Sequence, residues 1–401
     1  MIPHIREDFN KKFTEEKYQA FKTGLAEMYN LKPNFREAET PFFIPAILKE
    51  RLLEACAQIS EVVVRPDIKE FTQGALYDDS LKVPNEDEHT TFLQMDFGVC
   101  LDENGDPFPQ LIEIQGFPSV YFFQYMVSRA YHLYYDLPDS LTSFFNGFTR
   151  ESYKKVLYDT IVGDSDPKHV VLLEIEPELQ NTYIDMLSTS VELEIPVVCV
   201  TEVIKEGRQL FYTNKSGEKI RIEKIYNRVI FDELYQRPDL KLNFKFTDDL
   251  DVEWIGHPNW FYRISKYIMP YLVNKYVPET YFLHELKEIP ADLENYVLKP
   301  LFSFAGAGVI IDVTREDIDQ IQDKSNYILQ RKVTYEPVLK SPNEPVKVEI
   351  RMLMLWPKDA EKPFIVNNLV RLSKGKMIGV KYNKDKDWVG GSVGFFEEAQ
   401  D

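Results

Sequence analysis

The sequence has 401 residues, with 47 basic and 65 acidic side chains and a formal net charge of −18. A surface with this much negative charge repels nucleic acid and anionic membranes, and we therefore expect neither as a partner. Apolar residues make up 44% of the chain, which excludes global disorder and is enough for a large core, and the length suggests two or three domains or one large composite.

The cysteine content and the N-terminal sequence indicate a cytoplasmic protein. Cys56, Cys100 and Cys199 lie in apolar settings and form no C-x-x-C pair, which favours buried reduced thiols over a zinc site or a nucleophile. The N-terminus lacks an apolar signal core, and no apolar run approaches the roughly 18 residues that span a bilayer.

The first part of the chain predicts helices followed by a β-hairpin. Residues 6–29 and 46–64 have the periodicity of amphipathic helices. Two strands, 91–100 and 110–115, flank the turn dipeptide Asn104-Gly105. An aromatic helix over 120–135 follows, and its tyrosines favour a core or domain interface over a partner-binding scaffold.

The central part predicts a parallel sheet. Apolar strands at 169–174 and 196–200 enclose a helix at 178–193, which is a βαβ unit of the Rossmann-like kind. A strand at 224–231 and a helix at 257–277 come next. We therefore expect an α/β protein divided into 1–165, 166–285 and 286–401.

The segment 295–312 predicts a strand, a tight loop and a second strand, with Lys299 where the first strand ends. Gly306 and Gly308 lack a Cβ, so the backbone can approach a polyphosphate closely, and the lysine adds charge to the phosphates. A solvated lysine beside an ordinary hairpin is the alternative. Further along, residues 327–337 form an apolar strand that turns polar at Gln330 and Arg331, which is typical of an adenine-reading hinge and equally of a plain strand end.

The strand at 346–356 places two opposite charges, Glu349 and Arg351, on one apolar face. Such charges are costly to bury unless they are paired or bind something. Glu349 is a candidate to hold a ribose hydroxyl or a metal ion. A structural ion pair between Glu349 and Arg351 is the alternative.

Cationic residues near the C-terminus are candidates for a local anion pocket. They are Arg371, Lys374, Lys376 and Lys381, followed by Gly390-Gly391. The lysines are equally compatible with a solvated basic rim.

Two strands of the predicted hairpin carry oxygen ligands. Glu113 and Gln115 share one face of a strand, and Asp96 lies on the neighbouring strand. Two carboxylates and an amide oxygen make an all-oxygen site suited to Mg²⁺ that bridges nucleotide phosphates. Carboxylates also occur at strand ends by chance, but Glu113 lies among apolar residues where an unpaired charge is unfavourable.

The order of these motifs resembles the circularly permuted ATP-grasp ligases, and above all eukaryotic-type glutathione synthetases and glutathionylspermidine synthase-like proteins. In that family the metal-binding E-x-N strand lies near the N-terminus, as the strand of Glu113 does here. The resemblance implies an ATP-grasp fold and a site that binds ATP and Mg²⁺. The implied nucleotide-binding residues are Lys266, Lys299, Ser303, Gly306, Gly308, Gln330, Arg331, Lys332, Val333, Glu349 and Lys374; the implied metal ligands are Asp96, Glu113 and Gln115; Arg371 and Arg228 would orient a substrate acid.

Two positions depart from the family pattern. Ser303 stands where the phosphate loop usually has an acidic metal ligand, and Gln115 stands where the family has asparagine. The resemblance implies an ATP-dependent carboxylate–amine ligase that forms an acylphosphate on a small peptide or amino acid. The departures make glutathione an unexpected product, and they motivate the alternative of a catalytically inactive ATP- or ADP-binding module with a regulatory or scaffold role. The expected partners are a small acid and a small amine, with a homodimer as one assembly to test.

Overall fold

The computed structural model describes residues 2–303, 306–375, 378, 383 and 385–398. The helices in these ranges are α1 (Pro3–Lys12), α2 (Glu15–Met28), α3 (Ala46–Val63), α4 (Ile68–Phe71), α5 (Tyr121–Tyr135), α6 (Arg150–Ile161), α7 (Tyr183–Leu193), α8 (Phe231–Tyr235), α9 (Pro258–Arg263) and α10 (Arg315–Gln320). The strands are β1 (Phe42–Phe43), β2 (Phe92–Leu101), β3 (Pro107–Gln115), β4 (Leu141–Thr142), β5 (Val170–Glu174), β6 (Val197–Cys199), β7 (Ile204–Glu206), β8 (Gln209–Thr213), β9 (Lys219–Ile222), β10 (Lys224–Asn227), β11 (Glu253–Ile255), β12 (Thr280–Phe282), β13 (Tyr296–Pro300), β14 (Tyr327–Arg331), β15 (Lys347–Leu355), β16 (Phe364–Ser373), β17 (Gly390–Ser392) and β18 (Gly394–Glu397). No helix in these ranges is both long enough and apolar enough to cross a membrane.

The predicted N-terminal helix over 6–29 is wrong in one respect, because the structure divides it into α1 and α2. Thr14 lies between them in an extended conformation, and its side chain accepts a hydrogen bond from the backbone N–H of Lys17. Threonine is a preferred N-cap because its hydroxyl satisfies an otherwise unpaired N–H of the first turn. A new helix therefore begins at Thr14.

The predicted βαβ unit is confirmed. Strands β5 and β6 are parallel and are joined across α7, and β10 and β11 extend the sheet in the order β11-β10-β5-β6 with every pair parallel. The sheet buries an apolar cluster that includes Val171, Leu173 and Ile225. Both the predicted strand at 224–231 and the predicted helix at 178–193 are shorter in the structure.

A five-stranded antiparallel sheet, which we call the large sheet, has the order β17-β16-β15-β2-β3. The predicted hairpin forms its β2–β3 edge, and Gly105 in the turn has a φ of +81°. Strands from both ends of the chain pair in this sheet, because β15 lies against β2. The predicted ranges 1–165 and 286–401 therefore share one sheet.

A second antiparallel sheet, which we call the small sheet, has the order β12-β14-β13. The chain enters it from α9 and a 3₁₀ turn at Lys266–Tyr271, where sequence analysis predicts one helix over 257–277. Ser265 is extended and caps the 3₁₀ turn, and Pro270 lies inside that turn. Proline lacks the N–H that a continuing α-helix needs, so the predicted helix is interrupted.

The N-terminal part contacts strand β17 of the large sheet and pairs with β18, which belongs to a separate three-stranded sheet of order β1-β18-β4. Strand β1 pairs with β18, and the backbone N–H of Ala38 donates to the carbonyl of Gly391 in β17. Helix α3 packs on β3 and β18. The residues before the hairpin therefore help to hold the sheet on which the candidate site is built.

Candidate functional site

A buried network of charged side chains lies on one face of the large sheet. Asp96 on β2 receives the guanidinium of Arg351 on β15, with Nε 2.6 Å from Oδ1 and Nη2 2.7 Å from Oδ2. Nη2 of Arg371 on β16 lies 2.5 Å from Asp96 Oδ2 and 2.5 Å from Glu349 Oε1. Two arginines and two carboxylates from three adjacent strands thus neutralise one another.

The register of the strands explains these pairs. Arg351 is directly opposite Asp96, and Glu349 is directly opposite Arg371. Facing residues on antiparallel strands are about 5 Å apart at Cβ, closer than residues two apart on one strand. The ion pair between Glu349 and Arg351 that sequence analysis leaves open is therefore wrong: each charge pairs across strands.

Burial and neighbouring charges shift the pKa values of Asp96 and Glu349 in opposite directions. Although burial alone would raise it, the guanidiniums of Arg351 and Arg371 hold the pKa of Asp96 below its ordinary value. Burial raises the pKa of Glu349, and the charge of Arg371 opposes that shift only in part. Asp96 is therefore the more firmly ionised of the two.

Two lysines reach the β3 edge of the same sheet from outside it. Nζ of Lys299, at the end of β13, donates to the carbonyl of Ile112 at 2.9 Å. Nζ of Lys266 lies 3.6 Å from Oε1 of Glu113 and donates to the carbonyl of Ser303. Burial lowers the pKa of Lys299 to about 8, against the attraction of Glu113. Lys299, Lys266 and Glu113 therefore converge, although they are distant in sequence.

The space beside these lysines is almost closed. A cavity of about 20 Å³ lies there, lined by Glu113, Gln115, Phe117, Lys266, Phe302 and Ser303 among others. That volume holds about one water molecule. A nucleotide would enter this cavity only if its walls separated.

The segment after β14 closes the gap between the two sheets. The hydroxyl of Tyr335 donates to Oε2 of Glu349 at 2.6 Å, and the backbone N–H of Glu336 donates to the carbonyl of Val99 at 3.1 Å. A Cβ on Gly98 would lie 2.9 Å from side-chain atoms of both Tyr335 and Val333. Tyr335 thus already occupies one carboxylate oxygen of Glu349, the residue that sequence analysis makes a candidate for a ribose or a metal ion.

The predicted hinge residues divide between two faces of the small sheet. Gln330 is buried, and its Nε2 has no hydrogen-bond partner among the described residues. The side chains of Arg331 and Lys332 lie elsewhere, near Asp292 and Asp312, and their backbone N–H groups donate to the carbonyls of Glu279 and Asn295. A backbone N–H that donates to an adenine would therefore have to belong to Val333 or to a later residue.

The predicted phosphate loop is described only in part, because Phe304 and Ala305 lie outside the described residues. Gly306 and Gly308 have φ values of +72° and +71°, and a Cβ on Gly308 would lie 2.9 Å from Cγ of Pro300. Both glycines are needed for this close, left-handed turn. The buried hydroxyl of Ser303 has no hydrogen-bond partner among the described residues.

Two predicted residues belong to other networks. Arg228 is buried and pairs with Asp185, at 2.8 Å from Nη1 to Oδ2, and its guanidinium lies 5.1 Å from the ring of Phe117. Asp185 also accepts from the backbone N–H groups of Val120 and Phe123 at the start of α5. Phe117 lines the cavity and Arg228 does not, so the structure uses Arg228 to join β10, α7 and α5.

Lys374 lies apart from the cluster of Lys299 and Lys266. Its Nζ donates to Asn343 at 2.7 Å and to Asp387 at 2.9 Å. Lys376 and Lys381, which sequence analysis joins to it in an anion pocket, lie outside the described residues. The side chain of Lys374 is buried and pairs with the exposed carboxylate of Asp387, away from the cluster of Lys299 and Lys266.

The predicted metal ligands do not fit Mg²⁺ as they are arranged. Both oxygens of Asp96 face guanidiniums, and the amide of Gln115 lies 2.9 Å from Nη1 and Nη2 of Arg351, where its oxygen accepts from both. Only Glu113 is left, and Lys266 faces it. Within the described ranges no group of three histidine, cysteine or carboxylate residues is arranged to hold a metal ion.

Two contributors to the site are missed by sequence reasoning. Arg351 appears in the sequence only as a charge near Glu349, and its partners lie on a strand about 250 residues earlier. Tyr335 belongs to the segment read as a hinge. The alternation that places Arg351 on the face of Glu349 was the one available signal.

No protein-family model matches this chain, and neither does any curated protein. Among solved structures, the chain is similar to a glutathione synthetase-like effector, GSS30, from Globodera pallida in its apo form. The likeness covers 99% of both chains at a TM-score of 0.60 and 10% identity. At that identity it shows the fold alone. The protein is thus a mixed α/β chain with a glutathione synthetase-like fold, as the resemblance implies.

Proposed function

We propose that the protein binds a nucleoside polyphosphate such as ATP or ADP between the large and small sheets, in the manner of ATP-grasp proteins. The observation that carries this proposal is the convergence of Lys299 and Lys266 beside Glu113, in a chain whose overall charge is strongly negative. Buried ammonium groups held by carbonyl oxygens are poorly neutralised. An anionic ligand would stabilise them.

Two further donors support an anionic ligand. Nε of Arg371 is buried and has no hydrogen-bond partner among the described residues. The hydroxyl of Ser303 is also buried and also lacks a described partner. Buried polar atoms are normally paired, so exceptions mark groups that a ligand can satisfy. The glycine turn at Gly306 and Gly308 lies at the same end of β13 as Lys299.

Isothermal titration with ADP and with ATP tests the proposal. The expected result is binding by the wild type and at least about tenfold weaker binding by Lys299→Ala, which loses a charge-assisted contact worth about 1.5 kcal/mol or more. Lys155→Ala is the matched control, because the side chain of Lys155 is exposed on α6 and its ion-pair partner among the described residues is Asp159. Absence of binding in the wild type, or undiminished binding by Lys299→Ala, would reject the proposal.

A second candidate is the ATP-dependent carboxylate–amine ligase. In this reaction a substrate carboxylate attacks the γ-phosphorus of ATP and releases ADP; an amine then attacks the acylphosphate, forms the amide and releases phosphate. The observation in its favour is Arg371, whose side chain is 34% exposed and whose free Nε is suited to a carboxylate or phosphate. Release of ADP that depends on both an acid and an amine would establish the ligase.

The geometry supports nucleotide binding more strongly than it supports catalysis. Ser303 supplies no acidic ligand, and Asp96 and Gln115 are held by Arg351. Tyr335 contacts Glu349 where a ribose would lie. We therefore place a nucleotide-binding module with a regulatory role first, and measurement of ADP release from panels of acids and amines separates it from the ligase.

A further inference from the structure

Four oxygens on the large sheet surround the guanidinium of Arg351. Nε and Nη2 donate to the two oxygens of Asp96, and Nη1 lies 3.1 Å from Oε1 of Gln94. With its amide turned so that the oxygen faces Arg351, Gln115 accepts from both terminal nitrogens at 2.9 Å. The side chain of Arg351 is 11% exposed and that of Asp96 is 3% exposed, so this is a built and largely dry arrangement.

Carboxylate and amide oxygens that converge from two neighbouring strands are the ligands that Mg²⁺ prefers. Here they converge on an organic cation that is always charged and that cannot exchange with solvent. A divalent cation cannot share these oxygens with the guanidinium, because like charges at such a distance repel strongly in a buried site.

We propose that Arg351 takes the place of a divalent cation in this site, so that the protein binds its anionic ligand without Mg²⁺. The inference rests on the proposed nucleotide site for its ligand, but the exclusion of the metal depends on the contacts of Arg351 with Asp96 and Gln115, and on Arg371 at the second oxygen of Asp96. Lys299 and Lys266 then supply the charge that faces the phosphates. Arg351 acts as a positioning residue that also sets the metal requirement.

Binding of Mn²⁺ to the protein without nucleotide tests the exclusion directly. The chain is acidic, so weak surface binding forms a background, and the variants are compared against it by electron paramagnetic resonance of free Mn²⁺. The wild type and Asp96→Asn are expected to bind Mn²⁺ equally, because Asp96 does not hold a metal ion in the wild type. Arg351→Met keeps the aliphatic stem and frees Asp96 Oδ1 and the amide oxygens, while Arg371 stays on Asp96 Oδ2. This variant is expected to gain one site at least about tenfold tighter than the background.

Two matched variants complete the metal experiment. Arg351→Lys keeps the cation and is expected to gain no site, and adding Asp96→Asn to Arg351→Met is expected to abolish the gained site. A wild-type Mn²⁺ site that depends on Asp96 would overturn the proposal, and so would a folded Arg351→Met without a gained site. If Arg351→Met does not fold, as circular dichroism would show, the wild-type and Arg351→Lys measurements decide alone.

The ligand requirement is measured with ADP in excess Mg²⁺ and in EDTA. For the wild type the two dissociation constants are expected to agree within about threefold, whereas Arg351→Met is expected to bind ADP at least about tenfold more tightly with Mg²⁺. Wild-type binding that disappears in EDTA would overturn the inference. Absence of ADP binding in both solutions would instead reject the nucleotide proposal. The Mn²⁺ experiment would then be the test of whether Arg351 excludes a metal ion.

Discussion

The large and small sheets face each other across the candidate site, and they are stabilised differently. The large sheet has an extensive apolar core behind it, and its charged face is neutralised by pairs between adjacent strands. Within the described residues the small sheet has its own cluster of six buried apolar residues, among them Leu298 and Leu329, while its Phe282 and Ile328 pack into the large apolar core. It contributes one charged side chain, Lys299, to the opposite wall.

The difference indicates which side of the site moves. A wall of interlocked ion pairs and deep apolar packing resists rearrangement, whereas a sheet with a small core opens at lower free energy. We therefore expect ligand entry to displace the small sheet and the Tyr335 segment while the large sheet stays in place. Three predictions test this asymmetry.

Replacement of Asp96 by asparagine is expected to cause the largest loss of stability. It leaves Arg351 without its carboxylate in a buried site and removes one of the two partners of Arg371. Removing one partner of a buried pair costs about 3–5 kcal/mol of unfolding free energy, measured by urea denaturation. The control is Asp67→Asn, because its pair with Arg65 is solvent-exposed and no measurable change is expected. Equal effects of the two substitutions would contradict a rigid, interlocked wall.

The pH dependence of the free energy of unfolding should show that burial lowers the pKa of Lys299. Burial lowers its pKa from 10.5 to about 8, so between these values the unfolded chain binds more protons than the folded chain. The free energy of unfolding therefore gains a contribution as the pH rises from 8 to 10.5, at most about 1.4 kcal/mol per pKa unit. Lys299→Met is expected to remove that contribution, measured as the difference between its urea-unfolding profile and that of the wild type.

The profile of Lys155→Met serves as a control for the pH experiment. Lys155 lies on the surface and should leave the wild-type profile unchanged. Other groups titrate in the same range in all three proteins, so only the difference between profiles is informative. Identical slopes for Lys299→Met and the wild type would show that the lysine is solvated and that the small sheet does not press it against β3.

Replacement of Tyr335 by phenylalanine should have the smallest effect. It removes the hydroxyl that donates to Glu349 and leaves the ring against Gly98. A hydrogen bond to a buried charged group contributes about 1–2 kcal/mol. Hydrogen exchange is expected to quicken in β14 and β13 and to stay unchanged in β15 and β2, with Tyr235→Phe as the surface control. Uniform quickening across both sheets would contradict the asymmetry.

Sequence patterns predict the elements whose signals are local. The capping box at Thr314 and Asp317 starts α10, and the predicted Asn104-Gly105 turn lies between β2 and β3. The βαβ unit follows from apolar runs alone. Local chemistry decides each of these, so the neighbouring residues suffice to predict them.

The pairing of charges could not be predicted in the same way. Alternation places Glu349 and Arg351 on one face, but their partners depend on which strands lie beside β15 and in which register. Arg228 illustrates the same limit: its position after a strand is compatible with a substrate contact, and only the fold reveals Asp185 beside it. Long-range register is set by packing across the whole sheet.

The pairing of β2 with β15 has a consequence for how the protein is made. Asp96 and Arg351 face each other although they are 255 positions apart, so a ribosome delivers β2 and its apolar residues Leu93, Met95 and Phe97 long before the strand that covers their edge. An uncovered strand edge with such side chains is prone to associate with other chains. The nascent polypeptide therefore needs protection, for example by a chaperone, until β15 has been synthesised and can pair with β2.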